Sequence, residues 1–163
     1  MSFRKIDVDA LDEELLSKEE LFIFSNGVAN GPTLESVKSK AIDVRNALTR
    51  LVTPGFFVGR GDTATALSIA LDNPPYGLDN DEAKAQNTRN VLDVLSSVKA
   101  SDILGHVKAL SSDQQLVLMK YIYKGMATPE TGQSAVLLNW HDKLTEVAGV
   151  GCIVRVITDR KTV

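Results

Sequence analysis

Residues 112–158 read SDQQLVLMKYIYKGMATPETGQSAVLLNWHDKLTEVAGVGCIVRVIT, and the reading of this stretch decides the fold. Its first four residues have the form of a capping box, with the Ser112 hydroxyl accepting from the first turn and Gln115 bonding back. Leu116, Met119, Ile122 and Tyr123 then recur at three- and four-residue spacing, which predicts a helix with one apolar face. Lys124 followed by Gly125 is the residue order of a helix end. Residues 126–132, with Pro129 and Gly132, make a turn. A second helix follows, with Leu137, Trp140, His141, Leu144 and Val147 on one face and Gly149 as its stop. Helices joined by so short a link lie side by side and antiparallel. The only Trp and two of the three Tyr fall in this hairpin. Residues 150–157 are open to two readings. Their β-branched residues suit a strand, but Val150, Ile153, Val154 and Ile157 fit the helical template and no other segment offers pairing. The expectation is a helix.

Working back from the hairpin, Ser101 is placed to cap a helix with Ile103, Leu104, Val107 and Leu110 inward. Before it, a helix begins near 79–81 and runs to about Val98, burying Val91, Leu92, Leu95 and Val98. Asn73-Pro74-Pro75 breaks a short Ala- and Leu-rich helix over 63–72 that Asp62 caps. Residues 51–61, with Phe56 and Phe57, are a loop behind Pro54 and Gly55. Thr33 caps the clearest amphipathic stripe of the chain: Leu34, Val37, Ala41, Val44, Leu48 and Leu51. These segments make about seven helices, all-α, in a compact array or short α-solenoid.

Composition bounds the function. A chain of 163 residues with 44% apolar residues has enough to build one core. Its net charge of -3 is far from the basic balance of a nucleic-acid binder. One Cys excludes an intrachain disulfide and fits a reducing compartment. The first residues lack the apolar run of a signal peptide, and no stretch has the ~20 apolar residues that span a bilayer. The expectation is a soluble, intracellular protein with no membrane partner.

Residues capable of chemistry are sparse. His106 and His141 fall in different predicted helices. His141 and Asp142 are consecutive, so their side chains diverge by about 100° and form no base–orienter pair. Cys152 has no Cys or His at ligand spacing, which leaves it a small core residue. Gly149-Val150-Gly151 lacks the third glycine and the preceding strand of a dinucleotide fingerprint. Arg60-Gly61-Asp62 matches an adhesion tripeptide, but Asp62 serves as a helix cap. Arg155, Arg160 and Lys161 either complement a helix dipole or meet an acidic partner. No catalytic, cofactor or metal residue is expected, and an interaction protein is favoured over an enzyme.

At the N-terminus, Ile6 and Val8 alternate with Asp7 and Asp9, and carboxylates crowd residues 12–20. This is either an unstructured tail or an extended docking peptide. Residues 21–24 are an apolar cluster, and 25–32, with Asn-Gly twice, are a loop.

Phe3-Arg4-Lys5-Ile6-Asp7-Val8-Asp9 resembles the N-terminal signature of subunit 5 of the actin-related protein 2/3 complex. Other segments are similar to that family in the same order: Gly61-Asp62 through Pro74-Pro75, Leu118 through Gly125, Leu137 through Lys143, and Gly149 through Val163. The resemblance covers 3–9 and roughly 61–163, and the chain departs from the family between Leu16 and Gly59. It implies an extended N-terminal tail, so that residues 1–32 are an acidic docking tail and linker and 33–163 a helical domain in a compact α-α superhelical array. It implies a non-catalytic structural subunit, without cofactor, in a hetero-oligomer that nucleates branched actin filaments in the cytoplasm. Its partners would be β-propeller subunit 1 and subunit 4 for the body and actin-related protein 2 for the tail, with the actin filament reached through the complex. The partner-binding residues would be Phe3, Arg4, Lys5, Ile6, Asp7, Val8 and Asp9. A free-standing helical adaptor that binds peptides or partner helices is the alternative.

Overall fold

The structure, a computed structural model, describes residues 32–49, 62–76, 81–128 and 133–163. Seven helices fill these residues: α1 Leu34–Thr49, α2 Thr63–Leu71, α3 Asp81–Ser97, α4 Ile103–Ala109, α5 Ser112–Met126, α6 Ser134–Ala148 and α7 Val150–Thr158. No strand occurs among them, and residues 150–157 are helical as expected. Among the described residues no helix is long and apolar enough to cross a membrane. The loop expected at 51–61 and the segments at 3–9 and 21–24 lie outside the described residues.

Local chemistry sets most of the boundaries. Thr33 caps α1 through its Oγ1, which accepts from the Ser36 N–H. Asp62 caps α2, accepting from the Thr65 N–H at 3.0 Å and from the Thr65 hydroxyl. At the far end of α2 the chain turns at Asn73, with φ +39°, a conformation Asn tolerates better than most residues. Pro74 and Pro75 then forbid further helix. Lys40 of α1 donates to the Asp72 and Asn73 carbonyls, closing the open end of α2 from outside. Burial pushes the Lys40 ammonium below its ordinary pKa, opposed by the charge of Asp72.

Three boundaries differ from the sequence reading. The capping box of α5 is one residue earlier. Ser111 accepts from the Gln114 N–H at 3.3 Å, and the Gln114 side chain accepts from the Ser111 N–H at 3.1 Å. Gln115 is thereby released to donate to the Val107 and Leu110 carbonyls at the end of α4. At α4 the cap position belongs to Asp102, and the Ser101 hydroxyl donates to the Asp102 carboxylate instead. Gly125 does not end α5, which continues to Met126. It is buried, and a Cβ built on it would stand 2.8 Å from Leu92 Cδ2 and 2.9 Å from Leu137 Cδ1. The glycine is there so that α3 and α6 can close on α5.

The hairpin of α5 and α6 forms as expected, and it is central. α5 packs on α2, α3, α6 and α7, while α6 also packs on α3 and α4. α1 lies across α2 and α3 at the other side. Contacts such as α2 with α5 and α3 with α6 join elements distant in order, so the array closes round one core instead of running on as a solenoid. Trp140 is fully buried there, and its Nε1–H donates to the Leu95 carbonyl at 3.2 Å. Leu118 and Tyr121 are fully buried as well as Met119 and Ile122. α5 is therefore covered over more of its circumference than the predicted stripe allows.

Candidate functional site

The segment expected to bind partners, Phe3, Arg4, Lys5, Ile6, Asp7, Val8 and Asp9, lies outside the described residues. What the structure describes is the body behind it and the polar groups that body holds.

The most developed polar cluster gathers on Lys120, a cation only 6% exposed in the middle of α5. Its Nζ donates to Asp159 Oδ2 at 2.6 Å and to the Lys161 carbonyl at 2.7 Å. It also stands 4.9 Å from the centre of the Tyr76 ring, to which Lys161 Nζ comes within 5.9 Å. Asp159 accepts from the Lys161 N–H as well. Partial burial pushes the Asp159 carboxyl up, but the hydrogen bonds from Lys120 and Lys161 and the charges of both outweigh it, leaving it below the usual carboxylate range. Burial and the charge of Asp159 push the Tyr76 phenol up to about 12. The cluster fastens the segment after α7 across α5 and the diproline turn, and Val163 reaches the core with 4% exposure. Beside it, Asn87 of α3 donates to the Tyr121 hydroxyl at 2.5 Å. Burial pushes the Tyr121 phenol up, against the Asn87 hydrogen bond. These contacts tie α3 to α5, and α5 to the segment after α7 and the diproline turn.

The histidines and the cysteine have structural surroundings. His141 Nε2 lies 3.2 Å from the Tyr123 hydroxyl, and the two rings meet edge-on with centroids 5.6 Å apart. Asp142 points elsewhere, toward Lys143. His106 Nε2 lies 3.0 Å from the Thr63 hydroxyl, tying α4 to the first residue of α2. That contact borders an open cleft of about 550 Å³ lined also by Asp62, Ala64, Ser101, Asp102 and Gly105. Asp62 lines the cleft while serving as the α2 cap, as expected from residue order. Cys152 is fully buried in the core, and burial pushes its thiol up, against the charge of Arg155. A thiol so placed is a poor nucleophile. Among the described residues no group of three His, Cys, Asp or Glu is arranged to hold a metal ion.

Sequence reasoning missed Lys120. A lysine inside a helical stripe reads as a solvated residue, and its partners lie 39 and 41 residues further along. No local signal carries that pairing.

The chain is similar in sequence to known proteins. "Actin-related protein 2/3 complex subunit 5-C" of Xenopus laevis is 40% identical over 162 residues, covering 99% of this chain and 94% of that protein. The human "actin-related protein 2/3 complex subunit 5-like protein" is 36% identical over 161 residues, with coverage of 99% and 94%. Subunit 5 of Saccharomyces cerevisiae is 34% identical over 165 residues, with coverage of 99% and 97%. The family described as "ARP2/3 complex 16 kDa subunit (p16-Arc)" matches residues 2–163, a span that includes the stretch between 16 and 59 where the resemblance had lapsed. With nearly the whole chain inside that match, it belongs to the p16-Arc family of ARP2/3 complex subunits.

Proposed function

We propose that this chain is a structural, non-catalytic subunit of the actin-related protein 2/3 complex, and that it supports branched filament nucleation by joining two parts of that assembly. Residues 33–163 are the body, seated against the β-propeller subunit 1 and subunit 4. Residues 1–32 are the docking tail and linker, and Phe3, Arg4, Lys5, Ile6, Asp7, Val8 and Asp9 hold actin-related protein 2. The subunit acts in the cytoplasm, within the actin cytoskeleton, and touches the filament only through the complex. One observation carries the reading: the family match runs from residue 2 to residue 163, taking in the tail as well as the helices. The part-buried histidine contacts and the Cys152 contact, which join helix to helix, and the buried Lys120, which ties α5 to the segment after α7, agree with it.

The tail gains its effect from tethering. Once the body is docked, a weak peptide contact becomes intramolecular, at an effective concentration of about millimolar. Phe3 supplies an aromatic anchor, Ile6 and Val8 an apolar edge, and Arg4 and Lys5 the charges that set register. Removing residues 1–20 is expected to leave the body in the reconstituted complex, loosen actin-related protein 2 and slow branching. Ile6→Asp with Val8→Asp should act alike at unchanged helix content. A truncated chain that holds actin-related protein 2 as firmly, and branches as fast, would remove the tail from the function.

A further inference from the structure

α7 is apolar on both sides. Cys152, Ile153 and Val156 face the core. Val150, Val154 and Ile157 face outward at four- and three-residue spacing, with exposures of 66%, 53% and 75%. Of the five large hydrophobics exposed among the described residues, three fall on this one nine-residue helix. A surface helix ordinarily carries one apolar face toward the core and polar residues on the other, so a second apolar face asks for a second cover. A contiguous stripe of this kind marks an interaction surface, unlike a single exposed leucine.

The charge beside the stripe says what covers it. α7 carries no carboxylate, although the chain as a whole has a net charge of -3. Arg155 is exposed on its flank, with Nε donating to the Gly151 carbonyl of the same helix at 3.3 Å. The carboxylate that follows, Asp159, is engaged by Lys120 and by the Lys161 N–H. The one charge that α7 itself carries, exposed beside the stripe, is therefore positive. The face is also rigid: Gly149 turns the chain into α7, and the Lys120–Asp159 contact and buried Val163 fix the segment after it. A surface held at both ends loses little freedom on binding.

We propose that the outward face of α7, Val150, Val154 and Ile157 with Arg155 at its edge, seats the body in the assembly. Its occupant is an apolar helix or loop of a neighbouring subunit, edged by carboxylates. This rests on the membership argued above and names the surface that membership uses.

The test is incorporation of the full chain into the reconstituted complex. Val154→Asp with Ile157→Asp should weaken incorporation about tenfold or more, the scale of losing a central interface contact. Val154→Lys with Ile157→Lys should weaken it less, because the added charge suits an acidic edge. Arg155→Glu should weaken it and flatten its salt dependence. Helix content should be unchanged in all three, since these side chains leave the core untouched. Truncation of residues 1–20 serves as the contrast, because it should spare incorporation. Failure of the unaltered chain to incorporate would sink the membership reading, whereas normal incorporation of both double variants would sink this face alone. A lysine pair that weakens as much as the aspartate pair would overturn the acidic occupant. Loss of a dimer of the purified chain in both pairs would assign the face to a second copy. Insensitivity to the aspartate pair once residues 21–24 are replaced by serine would assign it to the chain's own apolar cluster. Either result overturns the proposal.

Discussion

Trp140 and Lys120 are the two side chains on which the core turns, for opposite reasons. Trp140 is apolar bulk with one donor, satisfied by the Leu95 carbonyl. Trp140→Ala should cost roughly 3–5 kcal/mol, read as a fall in the urea midpoint at unchanged slope. A cost under ~1 kcal/mol would mean that the indole does not fill the core. Lys120 is a buried charge whose value lies in its partners. Lys120→Met should cost ~1–3 kcal/mol, because Asp159 is partly exposed and regains water when its partner goes. Lys120→Met combined with Asp159→Asn should cost less than the sum of the two, as expected of groups in contact. The pH dependence follows from the sign of the Asp159 shift. Its pKa in the folded chain is depressed, so its contribution is present above the unfolded value, ~3.9, and is lost as pH falls through the folded one. The stability gap between the native chain and Asp159→Asn should therefore hold steady above about pH 5 and shrink below about pH 4. A gap independent of pH down to acid unfolding would show that the carboxylate is not the group that matters.

At the scale of the element, backbone geometry decides where helices end and how closely they approach. Gly149 joins α6 to α7 at φ +72° and ψ 172°, a region almost closed to residues with a Cβ. Nothing lies within 4 Å of a Cβ placed there, so the cost of Gly149→Ala is conformational alone, ~1–3 kcal/mol. Gly125 is the reverse case: its helical conformation suits any residue, and the obstruction is Leu92 and Leu137. Gly125→Leu should cost about 2–3 kcal/mol by overpacking the meeting of α3, α5 and α6. Were Gly125→Leu neutral while Gly149→Ala destabilised the chain, close helix approach would not be what that glycine provides. Ser111→Ala should cost ~1 kcal/mol and Ser112→Ala very little. That contrast, measured in the same denaturation series, checks the one-residue shift of the α5 cap.

At the scale of the whole molecule, the polar chemistry is spent on joining helices. His106 holds α2, His141 holds α5, and Cys152 fills space beside the Gln115 carbonyl. A chain carrying His106→Gln, His141→Gln and Cys152→Ala should keep branching nucleation in the reconstituted complex once any loss of folded chain is corrected. Loss of activity in the fully folded triple variant would point to chemistry at one of these residues.

Much of this was legible from residue order. Helical stripes, the Asp62 cap, the Asn73-Pro74-Pro75 break and the Gly149 stop are local effects, set by groups within about one turn of each other. The Ser111 and Ser112 ambiguity shows the limit of such signals: two adjacent serines and two adjacent glutamines allow two registers, and the position of α4 selects one by giving Gln115 other acceptors. The burial of Lys120, the use of Gly125 and the choice of which side of α7 faces the core were not legible. Each depends on groups brought together from far along the chain: Asp159 and Lys161 with Lys120, Leu92 with Gly125, Gln115 with Cys152. Periodicity states that a helix has an apolar face. Only the packed helices determine how many faces are covered, because burial belongs to the neighbours and not to the segment.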